Sequence, residues 1–361
     1  MTLCSVIAGT GSYIPEVIVP NSHFLDREFY DPDGKRIERP TEEIIQKFRD
    51  ITGIDERRYV RDDQVTSDIA FEAARNCLES SSFDKECLDY IVVAHNFGDV
   101  KLGNRRSDLV PSLATRVKHK LGIKSPKTVA YDLPFGCPGW LQGMIHADIY
   151  IKSGNAGSVL VVGAETLSRV ADPYDRDSLI YSDGAGATLV AARECEREAG
   201  ILAHAARTDA GEQAYVLWMG KSNNPNYTGN ELFLKMKGHD LYEHAIATVP
   251  LVLKEALDKA GLSISDLKKL LIHQANAKMD EKVAIRLARL YGIKATKEFL
   301  DEIMPMTISW LGNSSVATVP TLLDLTLKGK LSNHRLESDD IVLFGSMGAG
   351  TNVNAAVYRM P

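Results

Sequence analysis

The chain has 361 residues, 44% of them apolar and 25% charged, with a formal net charge of −6. Those values are ordinary for a globular chain with room for two domains or one large duplicated one, and the acidic balance argues against nucleic acid as a partner. Five scattered cysteines, an odd number without CxxC spacing, argue against a disulfide framework or a zinc site and predict a reducing cytoplasm. The first nine residues have neither the basic flank nor the apolar stretch of a signal peptide, and no apolar run approaches the ~20 residues of a membrane span, so no membrane insertion is expected.

In chain order, a polar loop at 27–40 precedes a strand-like apolar run at 90–93, and a second polar, Gly-containing excursion follows at 96–107. Either could line or cover a substrate entrance. A β-type run at 128–133 then enters the turn Pro134-Phe135-Gly136-Cys137-Pro138-Gly139. Pro138 suits the first position of a helix, where its missing N–H costs nothing. The segment that follows carries Trp140, Leu141, Met144, Ile145, Ala147, Ile149 and Ile151, apolar on most sides, and such a helix belongs between layers. Cys137 is therefore expected at a helix N-terminus, in a field that lowers a thiol's pKa and makes it a nucleophile. A buried structural cysteine is the alternative.

The two halves of the chain echo each other at an offset of 170 residues. Arg116-Val117-Lys118-His119-Lys120-Leu121-Gly122-Ile123-Lys124 returns as Arg286-Leu287-Ala288-Arg289-Leu290-Tyr291-Gly292-Ile293-Lys294. Three further pairs keep the same order: 88–94 with 267–273, 159–163 with 341–345, and 184–190 with 351–357. Strand runs that are apolar on successive positions are buried on both faces. Two α/β halves, residues 1–195 and 196–361, sharing a buried helical layer predict a five-layer α-β-α-β-α sandwich.

The offset carries Cys137 to position 307, and a six-residue insertion brings its mate to Asn313, again in a turn entering an apolar helix. His273 ends the strand run 270–272, and open α/β sheets put their sites at such C-terminal edges. Cys137, His273 and Asn313 are thus expected to converge. Singly, His273 could be a core histidine, Asn313-Ser314-Ser315 a helix cap, and Gly345, Gly348 and Gly350 a structural turn. His95, His119 and His146 lack the support of the repeat and read as ordinary.

Cys137 after its Gly/Pro turn, His273-Gln274-Ala275-Asn276, Gly312-Asn313-Ser314-Ser315 and Ser182-Asp183-Gly184-Ala185-Gly186-Ala187 together resemble β-ketoacyl-(acyl-carrier-protein) synthase III of the thiolase superfamily. The resemblance covers nearly the whole chain. It implies a thiolase fold, usually as a homodimer, and an acyltransferase of fatty acid or related specialised lipid or polyketide synthesis. Cys137 would take an acyl group from acyl-CoA or an acyl-carrier protein, and a malonyl-carrier-protein thioester would then lose CO2 and condense with it. His273 and Asn313 would hold the enolate oxygen, and the backbone at Cys137 and Gly348 would form the oxyanion hole of the acyl step. No metal or organic cofactor is implied.

Arg176 and Asn276 match positions that bind CoA or its pantetheine arm. Lys47 stands where relatives carry a Trp that stacks on the CoA adenine, so an altered clamp and an altered primer or donor are expected. The Gly-rich turn also differs, reading Phe344-Gly345-Ser346-Met347-Gly348-Ala349-Gly350. One rival is 3-hydroxy-3-methylglutaryl-CoA synthase, which needs a glutamate base after the strand ending near Ala94, where this chain has His95 and Asn96. A remoter one is a papain-like cysteine protease, whose Cys, His, Asn order is matched here with His273 lying 136 residues after Cys137.

Overall fold

A computed structural model describes residues 2–361 and contains two main sheets. In the first, the strands Thr2–Tyr13, Asp183–Cys195, Ser158–Thr166, Tyr90–His95 and Val129–Pro134 lie side by side in that order. In the second the order is Gly200–Thr208, Asn352–Arg359, Ile341–Gly348 and Leu267–Ile272. Each begins with three antiparallel strands and continues into parallel pairing: Tyr90–His95 is parallel to both its neighbours, and Leu267–Ile272 is parallel to Ile341–Gly348. Three of the four echoed pairs occupy equivalent strands of the two sheets and the fourth the ends of helices Leu113–Lys120 and Ala277–Leu290, the first sheet having one more strand at its parallel edge.

The layers follow from the period of two in a strand. Val92 and Ala94 face the middle of the molecule, while Ile91 and Val93 face outward. Val342 and Phe344 likewise face inward, and Leu343 faces the outer side of the second sheet. Both faces are therefore covered, which is why these strands carry no polar alternation. Helices Thr66–Ser81 and Leu113–Lys120 cover the first sheet through Ile69, Ala73, Cys77, Leu113 and Val117. Helices Gly238–Lys259 and Ala277–Leu290 cover the second through Val252, Leu253, Val283 and Leu287. Between the sheets lie helices Gly139–Lys152 and Thr318–Leu327, packed on both. This is the five-layer α-β-α-β-α arrangement of the thiolase fold.

Polar pins fix the layers where apolar contact alone would let them slide. The Ile7 N–H donates to the Tyr358 hydroxyl at 2.8 Å, tying the first sheet to the second. Asn354 Nδ2 donates to Gln142 Oε1 at 2.8 Å, tying the second sheet to the middle helix. The backbone of the first sheet comes close to the middle layer at Gly163, where a Cβ would stand 2.4 Å from the Val316 carbonyl oxygen and 3.1 Å from Trp140 Cβ. Gly163→Ala forces this backbone contact apart, and overpacking of that kind costs ~1–3 kcal/mol. Urea unfolding should show a lower midpoint at an unchanged slope, and a midpoint equal to the wild type's would contradict this packing.

Candidate active site

The strand Val129–Pro134 delivers Cys137 to the end of the middle layer. Gly136 turns the chain at φ 73°, the left-handed region that glycine enters freely, and a Cβ there would stand 2.9 Å from the Ala349 nitrogen. The helix starts at Gly139. Pro138 is its N-cap, one position before the place expected of it, and its carbonyl accepts the Gln142 N–H at 2.9 Å.

Cys137 thus lies ahead of the first turn, and the expected lowering of its pKa is absent. Burial pushes the thiol up to about 11; the Ser315 hydroxyl works against this, and the Glu165 carboxyl adds to it. The macrodipole decays within the first turn, while desolvation disfavours any buried anion.

His273 stands at the C-terminal end of the strand Leu267–Ile272, its N–H donating to the Gly345 carbonyl at 2.8 Å. Burial pushes its pKa down to about 4, against a weaker upward pull from the Ser315 backbone. At neutral pH the imidazole is therefore uncharged, with one ring N–H to donate.

Asn313 is clamped by its backbone. Its N–H donates to the Ile180 carbonyl at 3.0 Å, and its carbonyl accepts the Ser182 N–H at 2.8 Å. Asn313 Oδ1 accepts the Ser315 N–H at 2.8 Å, which leaves the Nδ2 hydrogens as its free donors. Gly348 presses on the nucleophile: a Cβ there would stand 2.4 Å from the Cys137 nitrogen and 3.0 Å from its sulfur.

Cys137, His273, Asn313 and Gly348 all line one cavity of about 300 Å³. Its remaining wall is mainly apolar, including Leu217, Trp218, Met219, Leu234 and Met236 from the hairpin Leu217–Gly220/Phe233–Met236. The hairpin is anchored by Lys235, whose buried Nζ donates to Asp172 Oδ2 at 2.5 Å, Asn223 Oδ1 at 2.8 Å and Asp175 Oδ2 at 3.0 Å. Few polar groups in an apolar concavity is the pattern of a small-molecule site.

The expected binding residues are positioned differently. Lys47 is exposed on helix Thr41–Thr52, and Arg176 is exposed beside Asp177, 3.7 Å away; neither lines the cavity. Asn276 caps helix Ala277–Leu290, its Oδ1 accepting the N–H groups of Lys278 and Met279, while its neighbours Ala275 and Met279 form the wall. Of the two polar loops, 96–107 contributes Asn96 and Phe97 to the cavity and 27–40 contributes nothing. His95 is held by Asp132 Oδ2, 3.0 Å from its Nε2, and its Nδ1 accepts the Gly98 N–H at 3.1 Å.

The sequence reading missed Glu165. It is the penultimate residue of the strand Ser158–Thr166, is fully buried, and accepts a hydrogen bond from Asn96 Nδ2 at 2.6 Å. A carboxylate following the unbroken apolar run Val159–Ala164 is the available signal. Ser315, in sequence only one member of the Gly-Asn-Ser-Ser motif, donates its hydroxyl to the Cys137 sulfur at 3.3 Å.

Cys137 should therefore be protonated at neutral pH, and its alkylation by iodoacetamide should rise with pH to a midpoint near 11. Ser315→Ala removes a bond that favours the thiolate and should move the midpoint higher still. A midpoint below 8 in the wild type would contradict this account of the thiol.

Among known proteins, the sequence pattern of the 3-oxoacyl-(acyl-carrier-protein) synthase III family matches residues 131–210, and that of the family's C-terminal part matches residues 257–360. The chain is 32% identical to a β-ketoacyl-(acyl-carrier-protein) synthase III of Erythrobacter litoralis over 98% of its own length and 99% of the relative's. It is 33% identical to the enzyme of that name from Rhodospirillum centenum over 99% of its own length and 100% of the relative's. The crystal structure of a synthase III from Thermus thermophilus superposes with a TM-score of 0.78 at 29% identity, covering 99% of both chains.

Proposed function

Since the chain belongs to the β-ketoacyl-(acyl-carrier-protein) synthase III family and is a condensing acyltransferase, we propose that Cys137, His273 and Asn313 carry its two half-reactions. The observation that carries this reading is that the three side chains line a single apolar cavity although they come from three distant parts of the sequence.

In the first half-reaction the Cys137 sulfur attacks the thioester carbonyl of an acyl-CoA or acyl-carrier protein. The carbonyl oxygen becomes an oxyanion facing backbone N–H groups at Cys137 and Gly348. The carbon–sulfur bond of the donor breaks, and the departing thiol carries away the proton that Cys137 loses. Splitting the condensation in this way gives a covalent intermediate that waits for the second substrate.

In the second half-reaction a malonyl thioester, carried by acyl carrier protein, replaces the donor. Its carboxylate leaves as CO2, and the electron pair moves onto the thioester oxygen as an enolate. The neutral His273 and the Asn313 amide both donate hydrogen bonds, and donors aimed where charge develops lower the barrier most. The carbanion then attacks the acyl carbon on Cys137, and the thiolate is expelled. The thiol, two side-chain donors and backbone amides suffice, so the proposal includes no metal or organic cofactor.

Residues 1–195 and 196–361 are taken as the two halves of the enzyme. A homodimer is supported by the open edge of the strand Val129–Pro134 and by the exposed Leu109 and Val110 nearby in sequence. A cytoplasmic setting is supported by five free cysteines. No helix among the described residues is long and apolar enough to cross a membrane. Lys47 and Arg176, both exposed, are assigned to the outer part of a CoA or carrier contact, with Asn276 nearer the cavity wall.

Asn313→Ala should still take a labelled acyl group onto Cys137 and should release CO2 from malonyl thioester at roughly a hundredth of the wild-type rate or less, the scale set by the loss of one oxyanion donor. Acylation and CO2 release measured in parallel separate the two steps. Normal decarboxylation in that variant would remove Asn313 from its role, and full labelling of Cys137→Ala would remove Cys137 from its own.

A further inference from the structure

Glu165 belongs to none of the steps above, yet it is joined to the nucleophile by an unbroken chain of hydrogen bonds. Asn96 Nδ2 donates to Glu165 Oε2 at 2.6 Å and to Ser315 Oγ at 3.2 Å, and Ser315 Oγ donates to Cys137 Sγ at 3.3 Å. The Asn96 backbone N–H also donates to Glu165 Oε2, at 3.0 Å. The carboxyl is fully buried, and its Oε1 has no partner among the described residues. Ser315 is held in place at φ 54°, the left-handed region that side chains other than glycine seldom enter, with its N–H on Asn313 Oδ1. A strained backbone persists only where its surroundings enforce it.

The polarity of this chain is decided at its far end. Burial pushes the Glu165 carboxyl up to about 7, so in the alkaline range where Cys137 ionises it is a carboxylate, which only accepts and selects the amide orientation in which Asn96 presents Nδ2. That same Nδ2 reaches Ser315 Oγ, so the serine oxygen must accept there. Its own proton is then directed to its one remaining hydrogen-bond partner among the described residues, the Cys137 sulfur. With the amide reversed, Asn96 Oδ1 would accept from Ser315, the proton would point away from the sulfur, and the thiolate would lose its donor.

Resting on Cys137 as the acylated residue, we propose that Glu165 is a positioning residue that, through Asn96, orients the Ser315 hydroxyl so that it donates to the Cys137 sulfur. Sequence distance hides the arrangement, because its members lie at 96, 137, 165 and 315. The two effects of the carboxyl on the thiol oppose each other: its charge disfavours a nearby thiolate, and its grip on Asn96 favours it. The Ser315 bond is the larger of the two influences on Cys137. The other titratable groups facing the chain are His95, paired with Asp132, and Asp183 around Glu165, with Tyr181 and His273 around Cys137. None of them bridges Glu165 to the sulfur.

The test is the pH profile of Cys137 alkylation in a double-mutant cycle on the full chain. Glu165→Gln keeps the shape of the side chain but lets it donate, so the Asn96 orientation is no longer selected. The alkylation midpoint should rise by about one pH unit, the scale of a lost charge-assisted hydrogen bond. Asn96→Ala, which cuts the chain and leaves the Glu165 carboxylate in place, should also raise it. In a Ser315→Ala background Asn96→Ala should not shift the midpoint further, and Glu165→Gln should only lower it, through loss of the carboxylate charge.

A midpoint that falls in Glu165→Gln, or that shifts equally with and without Ser315, would overturn the proposal, because the carboxyl would then act through space by its charge alone. An acyl label found away from Cys137 in the wild type would strike the reading of the nucleophile instead, so the two failures are distinguishable. Should Glu165→Gln fail to fold, Glu165→Asp, which keeps the charge but shortens the reach to Asn96, takes its place in the same cycle.

Discussion

The helix Gly139–Lys152 has almost no polar face to offer water, and that constraint organises the molecule. Such a helix is stable only with apolar partners on all sides, and a second one, Thr318–Leu327, has the same need. Two sheets, each hydrophobic on both faces, supply those partners. Because both helices run inward from loops at the same end of the sheets, their N-terminal approaches converge, and with them come Cys137 on one side and Asn313 and Ser315 on the other. The Gly163 contact with the Val316 carbonyl marks how tightly the second approach is seated on the first sheet.

The same burial sets the chemistry. A site in the middle layer is poorly solvated, so every charged form in it is disfavoured unless bonded. Burial pushes the Cys137 thiol up to about 11 and the His273 imidazole down to about 4. A neutral imidazole is a hydrogen-bond donor that needs no counter-charge, which suits an enolate-binding role better than a titrating base. The thiol, in contrast, depends on whatever donors can be aimed at it. That is why the orientation of one serine hydroxyl carries weight.

Much of this was legible in the sequence, and the reason is periodicity. Val159-Leu160-Val161-Val162 is apolar at each position because alternate residues serve different layers, so burial on both faces can be read without coordinates. The repeat then paired Cys137 with Asn313 across most of the chain. What was not legible depended on contacts between segments that no local pattern connects. Glu165 meets Asn96 because their strands are neighbours in the sheet, and Lys235 meets Asp172 because a hairpin folds back over the cavity. The thiol's pKa departs from the sequence expectation for the same reason: the sequence shows the helix start, and the desolvation around the sulfur comes from distant segments. The protease reading had matched only an order of residue types, and the five-layer fold has no place for it.

The account stands on one covalent event, an acyl group moving through Cys137 and off it again. Peptide mass spectrometry on enzyme incubated with an acyl-CoA, before and after addition of malonyl-carrier protein, observes it directly. The account predicts an adduct on the peptide containing Cys137 that disappears on addition, with the acyl group recovered in a β-ketoacyl product. An adduct confined to another cysteine such as the exposed Cys87, or one on Cys137 that malonyl thioester fails to discharge, would contradict it.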